Sequence, residues 1–131
     1  MKKYVSWNEV NKFVQQVVHR YAEHDIPGVY GLPRGGLVLA VMISHRLNIP
    51  MLMSPVEGCL LVDDICDSGE SLVHYTKNTS AEIDKPSYHI VTMYFKENRL
   101  GVLPEMYSYQ KGNDWIVFPW EEDEPIRGLM G

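Results

Sequence analysis

The sequence of 131 residues has no long apolar run, no cluster of basic residues and few cysteines. No stretch approaches the roughly 20 apolar residues that a membrane-spanning helix needs, and a polar amphipathic segment follows the first residues where a signal peptide would have an apolar core. Acidic residues outnumber basic ones by 17 to 12, and the net charge of −5 gives no long-range attraction to nucleic acid or anionic lipid. These absences predict a cytoplasmic protein that binds neither nucleic acid nor membrane.

The cysteines and histidines give no sign of a disulfide-bonded protein or of a zinc-binding protein. Cys59 and Cys66 lie in or just after one predicted strand, and in a reducing compartment we expect them to be buried thiols. The five histidines show no Cys/His spacing typical of a zinc site. A chain that is 45% hydrophobic and 22% charged is long enough for one core and short for two. We therefore predict one domain, residues 1–131.

Helical and strand-like segments alternate along the chain. A capping box at residues 6–9 precedes apolar residues at helical spacing, which predicts a helix that ends near residue 24. Further helices are predicted over residues 37–47 and 71–77, and strands over residues 29–32, 51–53, 59–62 and 88–95, with one or two more within 106–120. Continuous apolar strands separated by helices favour an α/β fold, a parallel sheet flanked by helices.

Three carboxylates stand together where the strand over residues 59–62 is predicted to end. Asp63, Asp64 and Asp67 lie in the segment VDDICDSGES. Like charges this close repel each other unless a cation, or hydrogen-bond donors such as sugar hydroxyls, share them. Ligands of parallel α/β sheets gather at this carboxyl edge. The segment therefore favours a sugar diol and Mg²⁺ as ligands.

The residues that follow Asp67 favour a phosphate at the same edge. Ser68, Gly69 and Ser71 open a predicted helix, so unpaired N–H groups, two hydroxyls and a close backbone approach are available there. The alternative is that Ser68 only caps the helix and Gly69 only makes the turn. The carboxylates beside them favour the phosphate interpretation.

A glycine-rich segment, GLPRGG, joins the preceding predicted strand to its helix. Arg34 supplies a cationic fork, and Gly35 and Gly36 allow a close backbone approach, which together suit a second phosphate group. Two adjacent glycines are a weak signal alone. Their position one strand-helix unit before the carboxylate segment strengthens it.

Several segments resemble the type I phosphoribosyltransferases. VDDICDSGESL resembles their phosphoribosyl pyrophosphate signature, and YGLPRGGLVLAVMISHRL resembles their pyrophosphate loop and its helix. DWIVFPWE resembles the purine-binding end of the xanthine, guanine and hypoxanthine members, and VTMYFKEN the strand that presents their purine-contacting lysine. KYVSWNEVNKFVQQVV is similar to the first helix of that branch. The resemblance covers nearly the whole chain and implies a purine phosphoribosyltransferase with a Rossmann-like parallel sheet.

The resemblance implies roles for the sugar and phosphate residues. Asp63 and Asp64 would hold the ribose hydroxyls and their bound Mg²⁺, and Asp67 would be the general base or hydrogen-bond partner at purine N7. The 5′-phosphate would be cradled by backbone and hydroxyl groups of Ser68, Gly69 and Ser71, with Glu70 pointing outward and giving only its N–H. Arg34 and Gly35 would contact the pyrophosphate, with Gly36 in the same loop, and the Pro33–Arg34 peptide would be cis or able to become cis.

The resemblance also implies a purine-facing set. Lys96 would reach the six-position oxygen, Trp115 would stack on the ring, and the carbonyl of Ile116 would accept from the ring edge. The alternatives are structural: Trp115 would be a core aromatic and Lys96 a solvated strand end.

One departure from the family leaves two functions open. Where the family inserts a long mobile loop over the reacting centre, this chain has only residues 54–58. We expect an open site, or one covered by a neighbouring subunit of a homodimer or larger homo-oligomer. One function is transfer of the phosphoribosyl group of phosphoribosyl pyrophosphate to a 6-oxopurine, with release of pyrophosphate, which Asp67, Lys96 and Trp115 together favour. The other is a binding module that senses phosphoribosyl pyrophosphate or a nucleotide with little turnover, which the short loop favours.

Overall fold

The computed structural model describes residues 1–76, 87–122 and 127. Its helices are α1 (Trp7–Tyr21), α2 (Gly35–Leu47) and α3 (Glu70–Thr76), and a short 3-10 helix covers Pro119–Glu121. Its strands are β1 (Lys2–Tyr4), β2 (Val29–Gly31), β3 (Leu60–Cys66), β4 (His89–Phe95), β5 (Met106–Gln110) and β6 (Trp115–Val117). Within the described residues no helix is long and apolar enough to cross a membrane.

The strands form two parallel sheets. Four of them pair in the order β2-β3-β4-β5, and β1 pairs with β6 in a separate two-stranded sheet. In the larger sheet Gly31 lies opposite Val62, Cys66 opposite Phe95, and Phe95 opposite Gln110. The α/β fold with a parallel sheet flanked by helices is therefore confirmed. All four strands of this sheet end at the same edge, called here the carboxyl edge.

The helices begin and end where local chemistry favours it. The Ser6 side chain accepts a hydrogen bond from the Glu9 backbone N–H while the Glu9 carboxylate accepts from the Ser6 backbone N–H, so the predicted capping box is present. Helix α2 ends at Asn48, whose left-handed conformation, with φ of 56°, lets its N–H donate to the Ser44 carbonyl.

The central strands of the larger sheet, β3 and β4, are largely buried on both faces. On one face, Leu60 and Val62 of β3 belong to the cluster that includes the apolar sides of α1 and α2. On the other, Leu61 and Cys66 pack with a smaller cluster that includes Leu72 of α3. This explains why the strands are continuous apolar runs without alternation. Both cysteines are buried and free, as predicted.

Four predictions about where helices and strands lie were wrong. No strand covers residues 51–53, since Met51 makes only an isolated bridge with Val29. Strand β3 continues beyond residue 62 to Cys66 because β4 offers partners that far. Helix α1 ends at Tyr21, and α2 begins two residues earlier than predicted, at Gly35. Residue 77, the predicted end of α3, lies outside the described residues.

Candidate active site

Asp63 and Asp64 lie within strand β3, near the carboxyl edge, and not after the strand as predicted. Asp63 is 8% exposed, and its Oδ1 accepts from the Asp64 backbone N–H at 2.8 Å; the Asp64 Oδ1 accepts from the Ile65 N–H at 2.7 Å. Burial raises the pKa of both carboxyls, and the neighbouring Asp64 charge helps to raise the pKa of Asp63 to about 8. Neither carboxylate has a basic partner among the described residues.

The glycine-rich loop lies directly against this carboxylate pair. A Cβ atom on Gly35 would be 2.1 Å from the Asp64 Oδ2, and one on Gly36 would be 2.2 Å from the Val62 carbonyl oxygen. Only glycine allows the loop this approach. Arg34, the residue before α2, is exposed and its side chain does not cap the helix. The Pro33–Arg34 peptide is cis, as the resemblance implied.

A cavity of about 420 Å³ opens at the carboxyl edge beside the carboxylates. Its lining includes Asp67, Ser68, Glu70 and Lys96 of the predicted site, and otherwise residues 97–100. A smaller adjoining cavity of about 90 Å³ is lined by Asp63, residues 65–69, Ser71 and Leu72. The structure thus brings the proposed base, lysine and phosphate-binding residues around two neighbouring cavities that share Asp67 and Ser68.

The predicted phosphate segment is a tight turn with its own hydrogen bonds. Ser68 Oγ accepts from the Glu70 backbone N–H at 3.2 Å, so Ser68 does act locally, as the alternative interpretation held. Gly69 has a φ of 85°, and a Cβ there would be 2.8 Å from Val102 Cγ2. The turn is therefore held against the β4–β5 connection.

Trp115 and Ile116, which the resemblance places against the purine, line neither cavity. Trp115 begins β6 and is 70% exposed, so it is not a core residue. Ile116 is buried and lies opposite Lys3 in the β1–β6 ladder. Their roles toward a purine stay predictions.

Two residues near the site were not predicted from the sequence. Lys111 Nζ lies 3.4 Å from the Asp67 Oδ2. The Asn98 side chain donates to the carbonyls of Lys96 and Val102, at 3.2 and 2.9 Å, and accepts from the Val102 N–H. Asn98 therefore closes the loop that follows Lys96. Both residues could have been found by noting that they stand at or just after strand ends on the carboxyl edge.

The Asp63–Asp64 carboxylate pair could supply part of a Mg²⁺ site. Carboxylate oxygens are ligands that Mg²⁺ prefers, and it is commonly held by one or two carboxylates together with substrate phosphates and water. Within the described residues no group of three or more His, Cys, Asp or Glu side chains is arranged to hold a metal. Asp63 and Asp64 could therefore hold Mg²⁺ in company with a ligand, but do not form a complete protein cage.

The short segment over residues 54–58 is placed away from the cavity. It ends directly before β3, where the Gly58 N–H donates to the Ser87 carbonyl at 2.7 Å and the Cys59 N–H to the Val56 carbonyl at 3.1 Å. Since Ser87 precedes β4, this turn lies at the amino edge of the sheet, opposite Asp67. It cannot cover the cavity.

Comparison with known proteins gives this geometry a family context. A xanthine-guanine phosphoribosyltransferase of Chromohalobacter salexigens is 27% identical over 141 residues, covering 89% of this chain and 82% of the relative. Another, from Idiomarina loihiensis, is 25% identical over 95% of this chain and 92% of the relative. A purine phosphoribosyltransferase structure from Pyrococcus horikoshii superposes with a TM-score of 0.75 at 25% identity, covering 95% and 97% of the two chains.

The chain is a homologue of the purine phosphoribosyltransferases. It has the fold of the type I phosphoribosyltransferases, as its resemblance to them implied. No family profile matches it. The carboxylate pair, the glycine-rich loop and the cavity all lie at the carboxyl edge of the sheet, where ligands of open α/β folds bind.

Proposed function

We propose that this chain is a purine phosphoribosyltransferase. It transfers the phosphoribosyl group of phosphoribosyl pyrophosphate to a 6-oxopurine and releases pyrophosphate. The observation that carries this proposal is the 420 Å³ cavity, in which Asp67 and Lys96 line the same space as Ser68. Relatives named xanthine-guanine phosphoribosyltransferases, aligned over 89% and 95% of the chain, support the choice of a 6-oxopurine.

The sugar phosphate is proposed to occupy the smaller cavity and its rim. Ser68, Gly69 and Ser71 line that cavity together with Asp63, so a 5′-phosphate at the turn leaves the ribose hydroxyls near the carboxylates. The amide of Glu70 completes the turn. Asp63 and Asp64 accept from the hydroxyls and would hold Mg²⁺, which would offset negative charge on the pyrophosphate.

The pyrophosphate is proposed to lie along the glycine-rich loop. Gly35 and Gly36 keep side-chain atoms out of the space beside Asp64 and Val62, and Arg34 is exposed and available as a cationic fork. A guanidinium suits phosphate oxygens because its donors match them in pairs. This places the leaving group next to the carboxylate pair.

The purine is proposed to enter the larger cavity. Asp67 faces the five-membered ring and accepts the N7 proton, while Lys96 donates to the six-position oxygen. Trp115 and Ile116 are proposed to reach the ring from β6, although neither lines the cavity in the structure. The protein mainly aligns the two reactants and compensates the developing charge, since no covalent intermediate with a side chain is required.

The proposal is tested by following nucleotide and pyrophosphate formation with guanine, xanthine, hypoxanthine and adenine in turn. Asp67→Asn should slow transfer by about 10²-fold or more while leaving binding of phosphoribosyl pyrophosphate nearly intact. Lys96→Ala should weaken use of 6-oxopurines more than use of adenine, which has no carbonyl there. Unchanged transfer in the Asp67→Asn variant would remove Asp67 as the base.

A binding module with little turnover is the second candidate, because residues 54–58 lie at the amino edge and cannot close over the site. A site that stays open should hydrolyse phosphoribosyl pyrophosphate measurably, since water reaches the anomeric carbon. A site covered by a second subunit should lose activity on dilution. Tight binding of phosphoribosyl pyrophosphate without transfer to any of the four bases would favour the module.

A further inference from the structure

Lys111 stands in an unusual position for a charged residue. Its side chain is only 13% exposed, whereas that of Asp67, its ion-pair partner at 3.4 Å, is 53% exposed. Burying most of a lysine side chain restricts its many rotamers. Because Asp67 is half exposed, the pair itself contributes little to folding. The arrangement is therefore poorly explained by stability.

The register of the sheet explains how Lys111 reaches Asp67. Cys66 lies opposite Phe95, and Phe95 opposite Gln110, and these three residues end β3, β4 and β5. The first residues after these adjacent strands are therefore Asp67, Lys96 and Lys111. The Lys96 N–H donates to the Cys66 carbonyl at 2.8 Å, and the Lys111 N–H to the Phe95 carbonyl at 2.7 Å. The backbone under both lysines is therefore fixed.

The two lysines have different surroundings. Lys96 lines the 420 Å³ cavity, whereas Lys111 does not. Lys111 thus meets Asp67 without lining the cavity, and because its side chain is 13% exposed, most of its stem is covered by protein while its ammonium meets the carboxylate. A cation placed there restricts the rotamers of the Asp67 side chain without lining the cavity that a ligand would occupy.

We propose that Lys111 is a positioning residue for transfer. It holds the Asp67 carboxylate turned toward the cavity, and acts on the reaction only through Asp67. This inference rests on the proposed function, since Asp67 has a catalytic role only if the chain transfers a phosphoribosyl group to a purine.

The test is a double-mutant cycle on kcat and KM. Lys111→Met removes the charge at nearly constant length, Lys111→Arg keeps it, and each is made with Asp67 and with Asp67→Asn. Lys12→Met, at an exposed position of α1, controls for loss of a lysine. Lys111→Met should lower kcat about tenfold with KM for phosphoribosyl pyrophosphate changed less than about twofold, and Lys111→Arg should recover most of kcat. In the Asp67→Asn background Lys111→Met should have no further effect.

Three results would overturn the inference. A kcat for Lys111→Met equal to that of the unchanged protein would show that Asp67 needs no such support. An equal loss in both backgrounds would show that Lys111 acts independently of Asp67, as a direct ligand contact would. Absence of transfer by the folded, unchanged protein would overturn the proposed function and this inference together. If Lys111→Met does not fold, Lys111→Gln, which keeps a polar end, takes its place in the same cycle.

Discussion

At the amino edge of the four-stranded sheet a carboxylate has side-chain hydrogen-bond donors, whereas at the carboxyl edge the carboxylates of Asp63 and Asp64 have, among the described residues, only each other and the backbone. Glu105, directly before β5, accepts from the Tyr21 hydroxyl and pairs with His89 Nδ1 at 2.9 Å. Burial pushes the pKa of Glu105 upward, but these two hydrogen bonds outweigh it, so the pKa is lowered overall. At the carboxyl edge, burial and mutual repulsion raise the pKa of Asp63 to about 8.

The difference separates two uses of acidic side chains. Glu105 joins the end of α1 to the start of β4 through Tyr21 and His89, which are both residues of the same chain. Asp63 and Asp64 are more deeply buried and lack basic partners among the described residues, an arrangement that costs stability unless a ligand completes it. A strongly perturbed carboxylate pair in this position is thus a better indicator of a binding site than a satisfied one.

The largest expected effect comes from neutralising the carboxyl-edge pair. Replacing both residues, Asp63→Asn with Asp64→Asn, should reduce transfer by at least about 10²-fold, since the groups proposed to hold the ribose hydroxyls and Mg²⁺ lose their charge. The same change should raise the melting temperature of the ligand-free protein near neutral pH, because it removes the cost of burying these carboxyls, whether as a charge without a partner or as a group that must take up a proton. Steady-state kinetics and thermal unfolding measure the two effects. A variant that is less stable and also inactive would contradict the contrast between the two edges.

Next in size is a change that fills the space beside Asp64. Gly35→Ala would place a Cβ 2.1 Å from the Asp64 Oδ2, so the loop or the carboxylate must move. We expect a loss of about 2 kcal/mol in the free energy of unfolding, typical of overpacking, and at least a tenfold loss of transfer. Gly112→Ala is the matched control, since a Cβ added there would have no heavy atom within 4 Å. Equal behaviour of the two variants would show that the loop adapts freely.

Features set by neighbouring residues were predictable from the sequence. The Ser6 capping box and the apolar face of α1 follow from local spacing, and the parallel sheet follows from apolar strands that alternate with helices. The segment containing Asp63, Asp64 and Asp67 was recognised for the same reason, because its composition is unusual wherever the chain folds.

Features set by distant partners were not predictable in this way. Strand β3 was predicted to end where its apolar run ends, yet Asp63 pairs with Thr92 and the ladder continues to Cys66 because β4 supplies partners. Strand β1 exists because Lys3 lies opposite Ile116, far along the chain. The contact of Lys111 with Asp67 likewise depends on the register of three strands, which no local pattern contains.

The two edges should also differ in how stability depends on pH. The pKa of Asp63 is raised from 3.8 to about 8, so between these values the folded state holds a proton that the unfolded state has released. The contribution of this site to stability is therefore complete below about pH 4 and is lost as pH rises toward 8. Denaturant unfolding across this range, compared with Asp63→Asn, measures it. A variant with the same pH dependence as the unchanged protein would show that other groups cause it.

The smallest expected effect is at the amino edge. Glu105→Gln keeps the shape and an acceptor oxygen for the Tyr21 hydroxyl but removes the charge that favours the contact with His89. Because Glu105 is partly exposed, we expect a loss of only about 1 kcal/mol in the free energy of unfolding, and no change in transfer.

The lowered pKa of Glu105 means that its contribution to stability is present above its ordinary pKa of 4.5 and is lost as pH falls through the lowered value in the folded protein. The stability difference between Glu105→Gln and the unchanged protein should therefore shrink in acid, whereas the Asp63 contribution is lost in the opposite direction. If Glu105→Gln reduced transfer while leaving stability intact, the amino edge would have a part in function that its hydrogen bonds do not indicate.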